Sequence, residues 1–156
     1  MAPSEPSAAL DRVRASFETQ GFMKKLGVRL VSVGAGTCEL AVDFDETMTQ
    51  QHGFFHAGVS ATLGDNAAGY AAFSMMPENS TVMTTEFKIN LFAPARGERL
   101  VARARVIKPG RTLSIVQSDI YGVVGDKHNH VATMLATAIC LMNKSDNAAQ
   151  EIKDEE

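Results

Sequence analysis

The sequence predicts an α+β domain in which one antiparallel sheet curls around a single long buried helix. Three observations predict it. Between Thr47 and Met76 the sole formal charge is Asp65, and from His56 the run is rich in alanine and glycine until Pro77. Beyond Pro77, apolar and polar residues alternate with period two as far as Met142. The connections between these alternating runs are short and hold turn residues, which antiparallel neighbours require.

In chain order, Leu10, Val13 and Phe17 recur at helical spacing, and Gly21 to Leu26 add a further turn. Val28 to Val33 is β-rich, and Thr37 to Phe44 alternates Cys38, Leu40, Val42 and Phe44 against polar or small residues, with Gly34 and Gly36 in the turn between. His56 to Met76 then predicts a helix about 31 Å long. Its small residues lie on nearly every side, so it has no wide polar face and belongs inside a sheet. Insertion into a membrane is the poorer solution. His56, Ser60, Thr62, Asp65 and Asn66 interrupt the run, and an Asp at the bilayer centre costs about 2.5–3.5 kcal/mol. Four strands follow, and the short links at Ala93–Gly97, Lys108–Gly110 and Gly122–Lys127 predict a meander in chain order.

Composition sets limits. Apolar residues make up 45% and charged residues 21% of the chain, as in an ordinary globular domain. A net charge of −3 leaves no electrostatic footprint for nucleic acid. Cys38 and Cys140 form neither a disulfide framework nor a metal spacing, and read as buried thiols in a reducing compartment. No basic stretch followed by an apolar run opens the chain, so no signal peptide is expected and the location expected is cytoplasmic. Residues 1–7 read as a flexible N-terminus, 8–143 as one domain, and 144–156 as a polar disordered tail.

The segment from Gln50 to Asn66 carries the chemistry. A loop with Gly53 leads to a helix start near His56, where the first amides lack internal acceptors and the dipole adds positive potential. The N–H groups of Ala57 and Gly58 are therefore candidates to hold an oxyanion. Asp65 lies about two and a half turns further along the helix, as a general base or a nucleophile. Gln50 is placed to bond the carbonyl or to orient water. The bland reading of Asp65 is a structural carboxylate satisfied by its neighbours, but a buried Asp without a partner is rare.

These residues resemble the phenylacetic-acid-degradation (PaaI-like) branch of the hotdog-fold thioesterases. That motif runs roughly Asn/Gln-x-x-Gly-x-x-His-Gly-Gly, then Leu-x-Asp, and Gln50, Gly53, His56, Ala57, Gly58, Leu63 and Asp65 stand at its positions. The strand from Thr84 to Pro94 with Arg96, and the turn from Gly110 to Leu113, are similar as well, so the resemblance covers about residues 20–142. Two departures stand out: Ala57 replaces a glycine and Gln50 the commoner Asn.

The resemblance implies a hotdog fold and hydrolysis of a small or medium acyl- or aryl-CoA to free acid and CoA. Coenzyme A would be part of the substrate, with no separate cofactor. It also implies self-association through the sheets, as a homodimer or a dimer of dimers, with active sites at the interface. Asp65 would then be base or nucleophile, Gly58 with Ala57 the oxyanion site, and Gln50 a ligand of water or carbonyl. Thr84 matches a Ser/Thr that positions water from the partner subunit, with Thr85 as the neighbouring choice. His56, Arg96, Lys108 and Arg111 are candidates for contact with substrate. Met75 and Met76 are candidates to line an acyl tunnel. Two other readings are a non-catalytic acyl-CoA sensor and a hotdog hydratase of enoyl or hydroxyacyl thioesters using His56.

Other motifs read as structural. His52 and His56 straddle a glycine loop and make a poor metal pair, so no metal is expected. Ser60 lacks a nucleophile elbow, and His128 with His130 reads as an exposed turn.

Overall fold

A computed structural model describes residues 8–146. The terminal segments 1–7 and 147–156, where the sequence predicts a flexible N-terminus and most of a disordered tail, lie outside the described residues. The elements run α1 (Ala8–Glu18), α2 (Gly21–Leu26), β1 (Arg29–Gly34), β2 (Thr37–Asp43), a 3₁₀ turn (Glu46–Met48), α3 (Ala57–Phe73), β3 (Ser80–Leu91), β4 (Arg99–Lys108), β5 (Leu113–Val124) and β6 (Lys127–Met142). Among the described residues no helix is long and apolar enough to cross a membrane.

Helix α3 is shorter than the spacing predicts, and both ends have a cause. At the start, His56 is extended and its Nδ1 accepts the Gly58 N–H at 2.8 Å, a cap in place of the usual hydroxyl or carboxylate. At the end, the Ser74 hydroxyl donates to Ala71 O at 2.7 Å and Pro77 brings no N–H to Phe73 O, so Arg12 of α1 caps the end, its guanidinium donating to Phe73 O at 3.1 Å and Met76 O at 2.9 Å. Arg12 also lies over the Phe73 ring, 4.2 Å from its centroid. The contact latches α1 to the far end of α3.

All six strands form one antiparallel sheet in the order β1-β2-β4-β5-β6-β3. Leu40, Val42, Leu100, Val116, Ile120 and Met134 are fully buried on its inner face, against Leu63, Ala67 and Ala71 of α3. Small residues on the helix allow this approach. A Cβ at Gly64 would lie 3.1 Å from Ile120 Cδ1 and 3.3 Å from the Met134 methyl.

The predicted chain-order meander holds for β4, β5 and β6 and fails for β3. That strand pairs with β6 at the opposite edge from β1. The link Phe92–Glu98 makes this affordable: seven extended residues reach about 23 Å, more than the three strand spacings of about 14 Å between β3 and β4. It is tied down on the way, with Phe92 N–H donating to Val131 O (3.0 Å), Phe55 N–H to Ala95 O (3.1 Å) and Glu98 N–H to Val123 O (2.8 Å).

Strand β3 also breaks the uniform alternation expected of it. Thr84 pairs with Ala138 and Glu86 with Thr137, so Thr85 is an extra, bulged residue. The bulge swaps which residues face the helix. Val82 packs on the core before it and Ile89 after it, while Met83 stays exposed.

Candidate active site

Asp65 sits midway along α3, half-buried, with Thr84 of β3 donating its hydroxyl to Oδ1 at 2.7 Å. Burial raises its pKa above the usual carboxylate value, and the Thr84 bond acts in the opposite direction. The bulge at Thr85 turns Thr84 toward the helix. Thr85 itself is exposed and donates to Thr137 O, so of the two threonines only Thr84 meets Asp65. That bond lies within one chain.

Asp65 and Thr84 line a cavity of about 580 Å³ between α3, the α1–α2 junction and the start of β3. The sequence reading missed its other polar walls. Gln20 donates to the Tyr70 hydroxyl at 2.7 Å, Asn66 donates to Gln20 Oε1 at 2.9 Å, and Ser16 pairs with Tyr70 at 3.2 Å. These contacts join residues far apart in sequence, and no local pattern announces them. Lys144, Ser145 and Asp146 close one side of the cavity, and the Thr81 hydroxyl donates to Asp146. Met75 is exposed and Met76 is buried in the main core, and neither lines this cavity, in contrast to the expected acyl tunnel.

The other half of the predicted set lies at the helix start. Gln50, Phe54, Ala57 and Ser60 line a second cavity of about 400 Å³ with the β3–β4 link. The Gln50 Oε1 accepts the His52 N–H across its own turn, which leaves the amide nitrogen of the side chain to point elsewhere. His56 is held from below by its N–H on Met48 O at 2.8 Å. The two expected oxyanion donors are not equivalent. The Gly58 N–H is committed to His56, whereas among the described residues no acceptor is placed for the Ala57 N–H. Ser60, one turn on, is fully buried with its hydroxyl unpartnered.

Ala57 and Asp65 are eight residues apart, about 12 Å along the axis. One chain therefore does not bring the donors and the carboxylate onto one carbonyl. The basic candidates are dispersed too. Arg96 lies over Phe54, 4.3 Å from the ring centroid, while Lys108 at the other end of β4 and Arg111 just beyond it are exposed, and none of the three lines either cavity. Among the described residues no three His, Cys, Asp or Glu side chains group as a metal site would need. His128 and His130 are exposed on β6, past the turn, and His130 stacks on Tyr121 at 4.8 Å.

The profile of the thioesterase superfamily matches residues 52–125. Human acyl-coenzyme A thioesterase 13 is 31% identical over 112 residues, 69% of this chain and 78% of that one. The structure of a thioesterase family protein from Silicibacter pomeroyi is 45% identical, covers 86% of this chain and 98% of its own, and superposes with a TM-score of 0.84. The PaaI protein of the E. coli phenylacetic acid degradation operon shares the fold at 21% identity and a TM-score of 0.75, over 84% of this chain and 91% of its own.

Proposed function

Because the chain belongs to the hotdog-fold thioesterase superfamily, we propose that it hydrolyses an acyl-CoA or aryl-CoA thioester to the free acid and CoA, with Asp65 as the reacting carboxylate. One observation carries the reading. Asp65 is half-buried, held by Thr84 and raised in pKa at the wall of a cavity large enough for an acyl group. As a base, it takes a proton from water as the water oxygen bonds to the thioester carbon. As a nucleophile, it makes that bond itself, and water then cleaves the mixed anhydride. Either way the carbonyl oxygen becomes an oxyanion, and collapse of the adduct expels CoA thiolate.

The Ala57 N–H, at the positive end of α3, suits that oxyanion, and the Gln50 amide nitrogen suits the carbonyl or the water. Since the Ala57 N–H lies about 12 Å along the helix from Asp65 in one chain, the complete site is assigned to a homodimer. Ala57 and Gln50 of one subunit face the partner subunit's Asp65. Edge strand β3 suits the pairing, with Met83, Phe87 and Leu91 exposed along it. The hydratase reading is weaker because His56 spends Nδ1 on the helix cap.

Purified protein incubated with a panel of acyl- and aryl-CoA thioesters and a thiol-reactive dye tests the reading. Release of free CoA by the wild type, and its loss in Asp65→Asn, are expected. No release from any thioester, or undiminished release by Asp65→Asn, overturns it.

A further inference from the structure

The cavity beside Asp65 contains a gap and a polar wall that the hydrolytic step does not use. Two glycines of α3 show the difference. Gly64 is explained by packing, since Ile120 and Met134 press within about 3.3 Å of where its Cβ would be. Gly69 is not: a Cβ there would meet nothing within 4 Å, and the residue lines the cavity. Glycine is a poor residue for a helix interior, and what it leaves here is room, one turn past the carboxylate.

The walls of that room differ. Val82, Met83 and Leu141 give an apolar side. On the other side stand Gln20, Ser16 and the Tyr70 hydroxyl, linked at 2.7 and 3.2 Å, with Asn66 behind them. The Tyr70 ring is packed against Phe17 and Phe73, so its hydroxyl is the part that reaches the cluster. Gln20 and Ser16 are only part-buried, so the polar face of the cluster stays open to the cavity. A wholly apolar chain laid against this wall would strip water from the cluster and return no hydrogen bond.

We propose that the acyl group lies over Gly69 and carries a hydroxyl at its far end, which bonds to the cluster of Gln20, Tyr70 and Ser16. This rests on the thioesterase reading of Asp65 and names the substrate class of that site. Tyr70 follows Asp65 by five residues, about 7.5 Å along the axis, and both line the one cavity, so a six-carbon acyl chain is the length to test first. Gly69 and Gln20 are then specificity residues, set apart from the reacting groups.

The test compares ω-hydroxyhexanoyl-CoA with hexanoyl-CoA on wild type, Gln20→Leu and Gly69→Val, by kcat/KM. Calorimetric binding of both thioesters to Asp65→Asn runs beside it. Wild type is expected to favour the hydroxylated thioester about tenfold, and Gln20→Leu to bring the ratio near one. Gly69→Val is expected to depress turnover of both six-carbon thioesters more than that of acetyl-CoA. Tyr70→Phe replaces Gln20→Leu if circular dichroism shows the latter unfolded. Equal kcat/KM on wild type, or a preference that survives Gln20→Leu or the Tyr70→Phe used in its place, overturns the inference and leaves hydrolysis standing. If wild type releases no thiol from any thioester, the hydrolytic reading falls instead. The calorimetric preference on Asp65→Asn then decides the pocket by itself: tighter binding of the hydroxylated thioester supports the inference, and equal binding overturns it.

Discussion

At its start, α3 offers donors; two turns further along it offers an acceptor. The cavity by Ala57 presents an unclaimed N–H and the Gln50 amide, beside a helix start whose field favours negative charge. The cavity by Asp65 presents a carboxylate whose ionised form is disfavoured by burial. On the proposed reading, the first would stabilise charge that appears during reaction, and the second would supply the group that initiates it. A helix about 25 Å long holds them too far apart to act on one carbonyl within one chain, which is why the site is proposed to be completed in a dimer.

The largest expected effect breaks the second half. Asp65→Asn should lower kcat by about 10³ in the thiol-release assay. The same change should raise stability at neutral pH. Below the ordinary carboxylate pKa of 3.8 both folded and unfolded Asp65 hold a proton. Between 3.8 and the raised folded value the native state keeps the proton that the unfolded chain has released, so stability falls as pH rises through that window. Above it the native carboxylate is a standing cost, and Asn removes it. Thermal melts of Asp65→Asn and wild type at pH 7 check this, with an expected gain of a few degrees, about 2–4 °C.

The first half is broken by Ala57→Pro. Position 57 opens the helix, where proline is tolerated, and His56 already has the extended backbone (φ −61°, ψ 141°) that a following proline demands. The fold should therefore survive while one N–H disappears, and kcat should drop about 10²-fold. Mixing the two dead variants sharpens the comparison. A mixed dimer would pair an intact Ala57 with the partner's intact Asp65 in one of its two sites. Random reassortment should restore about a quarter of wild-type activity, whereas a site contained in one chain would restore none.

A smaller effect tunes the carboxylate. Thr84→Val removes the bond that lowers the Asp65 pKa, so the acid limb of the kcat/KM profile should move to higher pH, with about a tenfold loss near that limb. The smallest concerns the helix between and beyond these groups. Gly69→Ala should stabilise the protein by about 0.5–1 kcal/mol in urea unfolding, because nothing opposes the added methyl. The same change at Gly64 should destabilise it.

Much of the site is legible in sequence because it lies on one short segment. Asp65 is conspicuous as a lone charge in an apolar helix, and Ala57 follows a loop that must end where the helix begins. The His56 cap is less legible. The sequence suggests two free amides, and only the bend of the imidazole onto Gly58 separates the one that is committed from the one that is not. Thr84 is readable as a candidate but not as a choice over Thr85, since alternation alone cannot locate a bulge.

The sequence by itself determined the buried helix, the number and antiparallel sense of the strands, and the position of the carboxylate, because each is a local pattern of charge, period or turn chemistry. Tertiary structure decided the rest. Strand β3 sits beside β6 because its link runs across the sheet end, tied by carbonyls of β6 and β5. The wall of Gln20, Ser16 and Tyr70 exists because Arg12 and Phe17 dock α1 on α3. Such contacts join residues some fifty positions apart, and their energy depends on packing that no window of sequence contains.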